Sequence, residues 1–380
     1  MTDVVIAGYA RSAFTPAHRG AFAKVRPDDI AASVVRSLVK RSGIDPTTLE
    51  DLIMGCAFPE GEQGNNVARL VVLQAGLPLS VGGVTVNRFC GSSMQAVHMA
   101  AGAIRMGAGD AFICAGMESM SRVPMGGFNP MPNPTLRENL PGAYMGMGLT
   151  AENVAERWSI DRPTQEAFAL ESQRKAAQAM AEGRLSDEIV PVTDPKTGAV
   201  VDTDGCPRPD STAEGLAALK PAFLETGTVT AGTSSPLTDG VAAVLVCSAT
   251  YARDHGLTPM AVVRSFAISG CDPEIMGIGP VESSRKALKR AGLNTGDIDI
   301  VELNEAFASQ SLACIRDLGL DPARINLDGG AIALGHPLGA TGARIVGKAA
   351  SLLVREGRRY ALATQCIGGG QGIATVLERA

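Results

Sequence analysis

The chain has 380 residues, which at roughly 150 residues per domain suggests two or three domains with enough length to bury a large core. A composition of 45% hydrophobic and 19% charged residues with 44 glycines excludes a disordered tail protein, a coiled coil and a collagen-like repeat. The 34 basic and 39 acidic residues give a formal charge of −5, and aromatics make up only 4%, so there is little material for a nucleic-acid coat or a base-stacking platform.

Short apolar runs rich in Val and Ile alternate with amphipathic stretches, the order of parallel strands joined by helices. A first strand is expected over residues 4–7. A helix follows over 29–42, with Ile30, Val34, Val35 and Leu38 on one stripe and Gly43 as its stop. Strands over 49–55 and 83–86 lead to a helix over 93–106, with Met94, Val97, Ala101 and Ile104 on one face, and to a strand over 111–115. Between about 121 and 236 the composition changes. Pro124, Pro130, Pro132, Pro134 and Pro141 crowd a loop, a helix is expected over 163–182, and Asp204-Gly205 after Val200 and Val201 reads as the turn of a small hairpin.

Beyond this insertion the first pattern returns. Arg36-Ser-Leu-Val-Lys40-Arg41-Ser-Gly43 matches Arg285-Lys-Ala-Leu-Lys289-Arg290-Ala-Gly292 at an offset of 249 residues (285 − 36), and the same offset relates Leu49 to Ile298 and Ala100 to Ala349. A constant offset across three elements points to two duplicated halves.

The eight cysteines, Cys56, Cys90, Cys114, Cys206, Cys247, Cys271, Cys314 and Cys366, include no CxxC pair, so neither a metal site nor a disulfide framework is expected. Residues 1–4 carry neither a basic n-region nor an apolar h-region, and apolar runs such as 241–246 are strand length rather than the ~20 residues of a membrane span. A cytoplasmic protein is the expectation.

Three loops carry candidate chemistry. Cys90 follows a strand and begins a helix, where N–H groups and the helix dipole lower a thiol pKa and small residues allow a carbonyl to approach. His336 sits in the Gly-rich run 329–342, placed like a catalytic base, whereas His98 lies mid-helix and His18 and His255 lie in polar loops. Cys366 opens Cys366-Ile-Gly368-Gly-Gly-Gln-Gly372 directly after a strand, and Asn304 closes another strand where it could donate to an oxyanion. The plainer alternatives are a core cysteine at 90, a structural histidine at 336, a flexible turn after 366 and a helix cap at 304.

The run 84–94 around Cys90, Asn304-Glu-Ala-Phe-Ala308, the Gly-His-Pro of 329–342 and Cys366-Ile-Gly-Gly-Gly-Gln-Gly372 resemble the signatures of the thiolase family, in that family's order. The resemblance extends over essentially the whole chain, including Gly116-Met-Glu-Ser-Met-Ser121 and Thr150-Ala-Glu-Asn153. It implies an α/β fold with a five-layered α/β/α/β/α core of two duplicated halves and an inserted loop (lid) domain. Residues 1–120 with 237–257 would form the N-terminal half, 121–236 the loop domain, and 258–380 the C-terminal half.

The implied reaction is cleavage of a 3-ketoacyl-CoA by coenzyme A. Cys90 attacks the 3-keto carbon after His336 takes its proton, and Cys366 protonates the departing acetyl-CoA enolate and later deprotonates incoming coenzyme A. One oxyanion site uses His336 with a water held by Asn304, and the other the N–H groups of Cys90 and Gly368. Coenzyme A is a substrate, no cofactor is held permanently, and no metal is implied. By the same resemblance Arg208 lies near the adenine, Ser235 meets the pantetheine, and Phe307 and Met147 line the channel. Thr233, Thr238 and Pro236 stand where many members carry Asn, Asn and Gly.

Gly146-Met147 stands where biosynthetic members carry His-Met, and the runs 270–273 and 275–277 are similar to the bacterial fatty-acid-oxidation subunit, which favours the degradative activity. The alternatives are a biosynthetic acetyl-CoA C-acetyltransferase, a non-catalytic acyl-CoA or lipid-binding relative, and a β-ketoacyl synthase. The last two are disfavoured by the presence of Cys90, His336 and the Cys366 loop. The resemblance implies a homodimer or a dimer of dimers, with association to a hydratase/dehydrogenase subunit as a further expectation.

Overall fold

The computed structural model describes residues 3–380; Met1 and Thr2, at the start of the expected first segment, lie outside the described residues. Nine main strands form one continuous sheet. The first half contributes β1 (Val4–Ser12), β2 (Asp51–Gly55), β3 (Gly82–Val86), β4 (Ala111–Ser119) and β5 (Thr238–Ser248). The second half contributes β6 (Ala261–Gly270), β7 (Ile300–Leu303), β8 (Tyr360–Ile367) and β9 (Gln371–Arg379). Their order is β7-β8-β9-β6-β1-β5-β4-β2-β3, and the halves join where β1 meets β6 through Val5↔Val262 and Ile6↔Ala261.

The strands bury both faces, so successive residues feed different cores. On β4, Ile113 packs outward with Val34, Val35 and Leu38 of α1 (Pro27–Ser42) and Val71 of α2 (Val67–Gln74). Its neighbours Phe112 and Cys114 pack inward with Met94, Val97 and Ile104 of α3 (Ser92–Arg105). Four further helices complete the arrangement needed here: α4 (Met147–Arg157) and α5 (Arg162–Ala181) in the insertion, then α6 (Gly279–Ala291) and α7 (Ala308–Leu318) in the second half. The last long helix, α8 (Leu338–Arg355), shares the inner core with α3 through Ile345, Val346 and Leu353. Beyond the second half, Leu288 of α6 and Leu318 of α7 cover Val301, Leu362 and Val376. The layers are therefore outer helices, sheet, α3 with α8, sheet, and outer helices.

The duplication is visible in the register. The parallel pairs Asp51↔Phe112 through Met54↔Ala115 recur as Ile300↔Ala361 through Leu303↔Thr364, every residue displaced by the same 249 positions. Gly43 and Gly292, also 249 apart, end α1 and α6 at φ of 71° and 69°, the left-handed conformation that glycine adopts without a Cβ clash. One strand has decayed: where the first half has β3, the second keeps a single bridge, Val301↔Ile325.

Two expectations are corrected. The strands are not uniformly parallel, since β9 runs antiparallel to both β8 and β6. The link from β8 to β9 is only Gly368, Gly369 and Gly370, too short for the crossover that a parallel pair needs. The hairpin of the insertion pairs Val192–Thr193 with Val200–Val201, and its turn is closed by Asp194, not Asp204. Asp194 accepts from the N–H of Lys196, the local bond that makes aspartate a turn former. Asp204 instead meets buried Arg11 in a bidentate pair at 2.7 Å, where an unpaired guanidinium would be costly.

No helix among the described residues is long and apolar enough to cross a membrane.

Candidate active site

Cys90 lies between β3 and α3, in a turn set by Phe89, which takes φ of 42°. That left-handed conformation is uncommon away from glycine. It is held by bonds from the Ser92 hydroxyl to the Phe89 carbonyl at 2.6 Å and from the Arg88 N–H to the Ser92 hydroxyl at 2.9 Å. Gly91 follows because a Cβ there would lie 2.5 Å from the Ile367 side chain. Gln365 of β8 donates to the Cys90 carbonyl, tying this loop of the first half to a strand of the second.

The Cys90 thiol is pushed up to about 12 by burial, against the pull of the Gly368 N–H and its own N–H, with Glu118 adding to the rise. Cys90 is only half-buried by its exposed surface, but desolvation of a thiolate there runs against the lowering expected at a helix N-terminus. Cys90 rests as a thiol and needs a base. The two amides that bear on its sulfur, those of Cys90 and Gly368, are the pair expected to hold an oxyanion.

His336 lies between Gly335, at φ of 100°, and the first turn of α8. Its N–H donates to the Thr238 hydroxyl at 3.0 Å. The ring is held at both nitrogens: Nδ1 is 2.6 Å from the Thr341 hydroxyl and Nε2 is 3.4 Å from the Asn304 amide nitrogen. An amide NH2 only donates, so Nε2 carries the lone pair and Nδ1 the proton. The Thr341 hydroxyl then accepts from Nδ1 and itself donates to the Pro337 carbonyl at 3.2 Å. Burial, with Arg344 nearby, lowers the imidazole to about 3, so the ring is a neutral base over the whole physiological range.

Asn304 directly follows β7 and its N–H donates to the Thr364 carbonyl at 3.0 Å. It does not cap the next helix, since α7 begins four residues later with Phe307 as its cap. Its carbonyl oxygen is buried without a partner, a free acceptor beside the imidazole. Cys366 sits within β8, opposite Gly372, rather than opening the loop. Its thiol is pushed up by burial and by the neighbouring Cys90, so it too rests protonated.

Cys90, His336 and Cys366 line one cavity of about 480 Å3. Ser235, Phe307 and Met147 line it as well. Ser235 is fixed by its N–H and hydroxyl, both donating to the Ala306 carbonyl at 3.0 and 3.1 Å. Gly368 lies beside Met147, whose sulfur would be 3.4 Å from a Cβ added there. Arg208 is not brought into the lining; its N–H donates to Gln173, and burial lowers its guanidinium, with Cys206 opposing and Arg19 reinforcing that shift.

Several contributors escaped the sequence reading. Thr341, five residues after His336, orients the imidazole, and its place in the same Gly-rich run was the available signal. Thr238, a departure from the family pattern, holds the His336 backbone. Phe223, edge-on to Phe307 at 5.9 Å, and Met276 build the apolar walls and had no signal beyond hydrophobicity.

Two thiols, a neutral imidazole and two amide donors around an apolar cavity are the equipment for making and breaking a thioester. That set, on a duplicated five-layered α/β core, defines a class of thiol-dependent acyl-transfer folds. The thiolase N-terminal domain matches residues 4–250 and the thiolase C-terminal domain residues 257–379. The 3-ketoacyl-CoA thiolase of Bacillus subtilis (strain 168) is 47% identical over 389 aligned residues, covering 100% of both chains. Those of Aeromonas hydrophila and Aeromonas salmonicida (strain A449) are 48% and 49% identical, again over 100% of both chains. The chain belongs to the thiolase family.

Proposed function

We propose that this protein is a degradative 3-ketoacyl-CoA thiolase, an acetyl-CoA C-acyltransferase that shortens 3-ketoacyl-CoA by one acetyl unit. The observation that carries the reading is the meeting of Cys90, His336 and Cys366 at one apolar cavity, in a chain nearly half identical to proteins of that name over their full length.

The chemistry follows from the protonation states. Nε2 of His336 takes the Cys90 proton, and the sulfur forms a bond to the 3-keto carbon. The oxygen that becomes negative is received by the N–H groups of Cys90 and Gly368. The C2–C3 bond then breaks and its electron pair leaves with acetyl-CoA as an enolate. Its thioester oxygen is stabilised by protonated His336 and a water on the free Asn304 oxygen, and the Cys366 thiol supplies the proton to carbon. The Cys366 thiolate next takes the proton of incoming coenzyme A, whose sulfur displaces Cys90 from the acyl group, and Cys90 recovers its proton from His336. A covalent intermediate of this kind gives ping-pong kinetics.

Coenzyme A is a substrate and not a resident cofactor in this reading. Ser235, Phe307 and Met147 receive its pantetheine arm, and Arg208 supplies positive charge beyond the cavity for the nucleotide end. Residues 121–236 act as the lid between an N-terminal half of 1–120 with 237–257 and a C-terminal half of 258–380. The working form is a cytoplasmic homodimer or dimer of dimers, able to join a hydratase/dehydrogenase subunit. Steady-state thiolysis across 3-ketoacyl-CoA substrates of increasing chain length tests the activity. Turnover that continues on medium and long chains is expected, and turnover confined to acetoacetyl-CoA would replace this reading with the biosynthetic acetyltransferase.

A further inference from the structure

Glu118, next to the last residue of β4, is a buried carboxylate, and every group bonded to it is a donor. One oxygen accepts from the N–H of Ala57 at 2.8 Å and of Gly339 at 2.9 Å. The other accepts from the Gln63 amide at 3.0 Å, the Phe58 N–H at 3.3 Å and the Cys56 thiol at 3.8 Å. Gln63 cannot turn its oxygen toward the carboxylate, because that oxygen accepts from the Ser119 N–H. Burial raises the Glu118 carboxyl above its ordinary range, and the N–H groups of Ala57 and Gly339, the Gln63 amide and the Phe58 N–H pull it back; a ring made only of donors suits a carboxylate, which only accepts.

These donors come from two places that the reaction must hold together. Ala57 and Phe58 follow β2 and pack with Cys90, Met120 and Leu338. Gly339 begins α8 three residues after His336, and it is wedged so closely that an added Cβ would lie 2.5 Å from the Met117 carbonyl and 2.8 Å from the Cys56 Cα. We propose that Glu118 is a positioning residue for acyl transfer, clamping the start of α8, with the His336 loop, onto the loop that backs Cys90. The inference rests on the roles given above to Cys90 and His336.

Of the groups bonded to Glu118 only the Cys56 thiol titrates. A fall in kcat at nearly constant KM, with the unfolding midpoint little changed, separates positioning from a merely structural role.

The test is Glu118→Gln, which keeps size and shape but puts an NH2 against N–H donors. We expect kcat for 3-ketoacyl-CoA thiolysis to fall about 10- to 100-fold, the scale of a slight misalignment of reacting groups, with KM changed less than about 3-fold. The thermal midpoint should stay close to that of the wild type, because the neutral amide still fills the site. Glu118→Asp keeps the acceptor oxygens but shortens the reach, so kcat falls with KM again nearly constant. Wild-type kcat in Glu118→Gln overturns the proposal. So does a loss of kcat matched by a loss in KM and a lowered thermal midpoint, which is what general loosening would give. Should Glu118→Gln fail to fold, Glu118→Asp decides: loss of kcat at constant KM supports the clamp, and wild-type kcat or a matching loss in KM overturns it. Failure of the underlying activity would look different, as wild-type protein that cleaves no 3-ketoacyl-CoA at all.

Discussion

The two halves of the core each aim a helix N-terminus at the middle of the molecule, and they use it in opposite ways. Position 90, ahead of α3, corresponds to position 339, at the start of α8, under the 249-residue offset. In the first half that position carries a thiol, whose ionised form the local N–H groups of Gly368 and Cys90 favour. In the second it is a glycine whose N–H is taken by the buried Glu118 carboxylate. The strand ends diverge in the same manner, with Gly55 and Met117 in the first half where Asn304 and Cys366 stand in the second. Duplication thus supplied two equivalent helix ends, of which one is filled by a carboxylate of the chain itself and the other, in the proposed reaction, receives a substrate oxygen. The asymmetry matters because a reacting group needs unspent donors nearby, whereas a scaffold needs every buried donor satisfied.

Removing the thiol at the open end breaks the comparison most severely. Cys90→Ala should lower thiolysis by about 10^5-fold or more, the scale of losing a covalent nucleophile, while coenzyme A binding measured by calorimetry persists; retained turnover would refute the assignment. At the filled end, a side chain is what should do harm. Gly339→Ala places a Cβ against the Met117 carbonyl and Cys56, and we expect a loss of roughly 1–3 kcal/mol in denaturant unfolding, the range for overpacking a tight core. An unchanged midpoint would mean that α8 shifts freely and that Gly339 is not wedged.

The smallest expected effect is an absence of change. Burial lowers His336 to about 3 and raises Cys90 to about 12, so neither group of the free enzyme titrates between them. The pH profile of kcat/KM should be flat from about pH 5 to 9, without the limb near 6.5 that an ordinary histidine would give. Stability should behave otherwise. His336 and His98, the latter also lowered to about 3 by burial, bind protons in the unfolded chain near 6.5 but not in the folded one. Their contribution is complete above about pH 6.5 and is lost as pH falls toward 3, which pH-dependent thermal melts would register.

His98 and His336 also mark how far the sequence could be read. Both are buried and neutral, but His98 stacks on Phe266 at 4.2 Å and bonds the Thr375 hydroxyl inside the inner core. His336 faces the cavity. The mid-helix spacing of the one and the Gly-rich surroundings of the other already set them apart in the sequence. The stripe of Ile30, Val34, Val35 and Leu38 was legible for a similar reason: helix periodicity and the Gly43 stop are properties of neighbouring residues. The turn at Asp204 was misread because the same dipeptide signal serves a hairpin or a long-range ion pair, and only the position of Arg11 distinguishes them.

By itself the sequence determined the halves, their offset, the boundaries of the long elements to within a few residues, and the loops that carry Cys90, His336, Cys366 and Asn304. Those features are written in periodicity, turn residues and short motifs, whose physics acts over a few residues. Tertiary structure alone decided that Cys90 rests as a thiol, which nitrogen of His336 is basic, and that Glu118 answers Gly339 across 221 residues of chain. Desolvation and hydrogen-bond pairing depend on what surrounds a group in space, and no spacing along the chain records that.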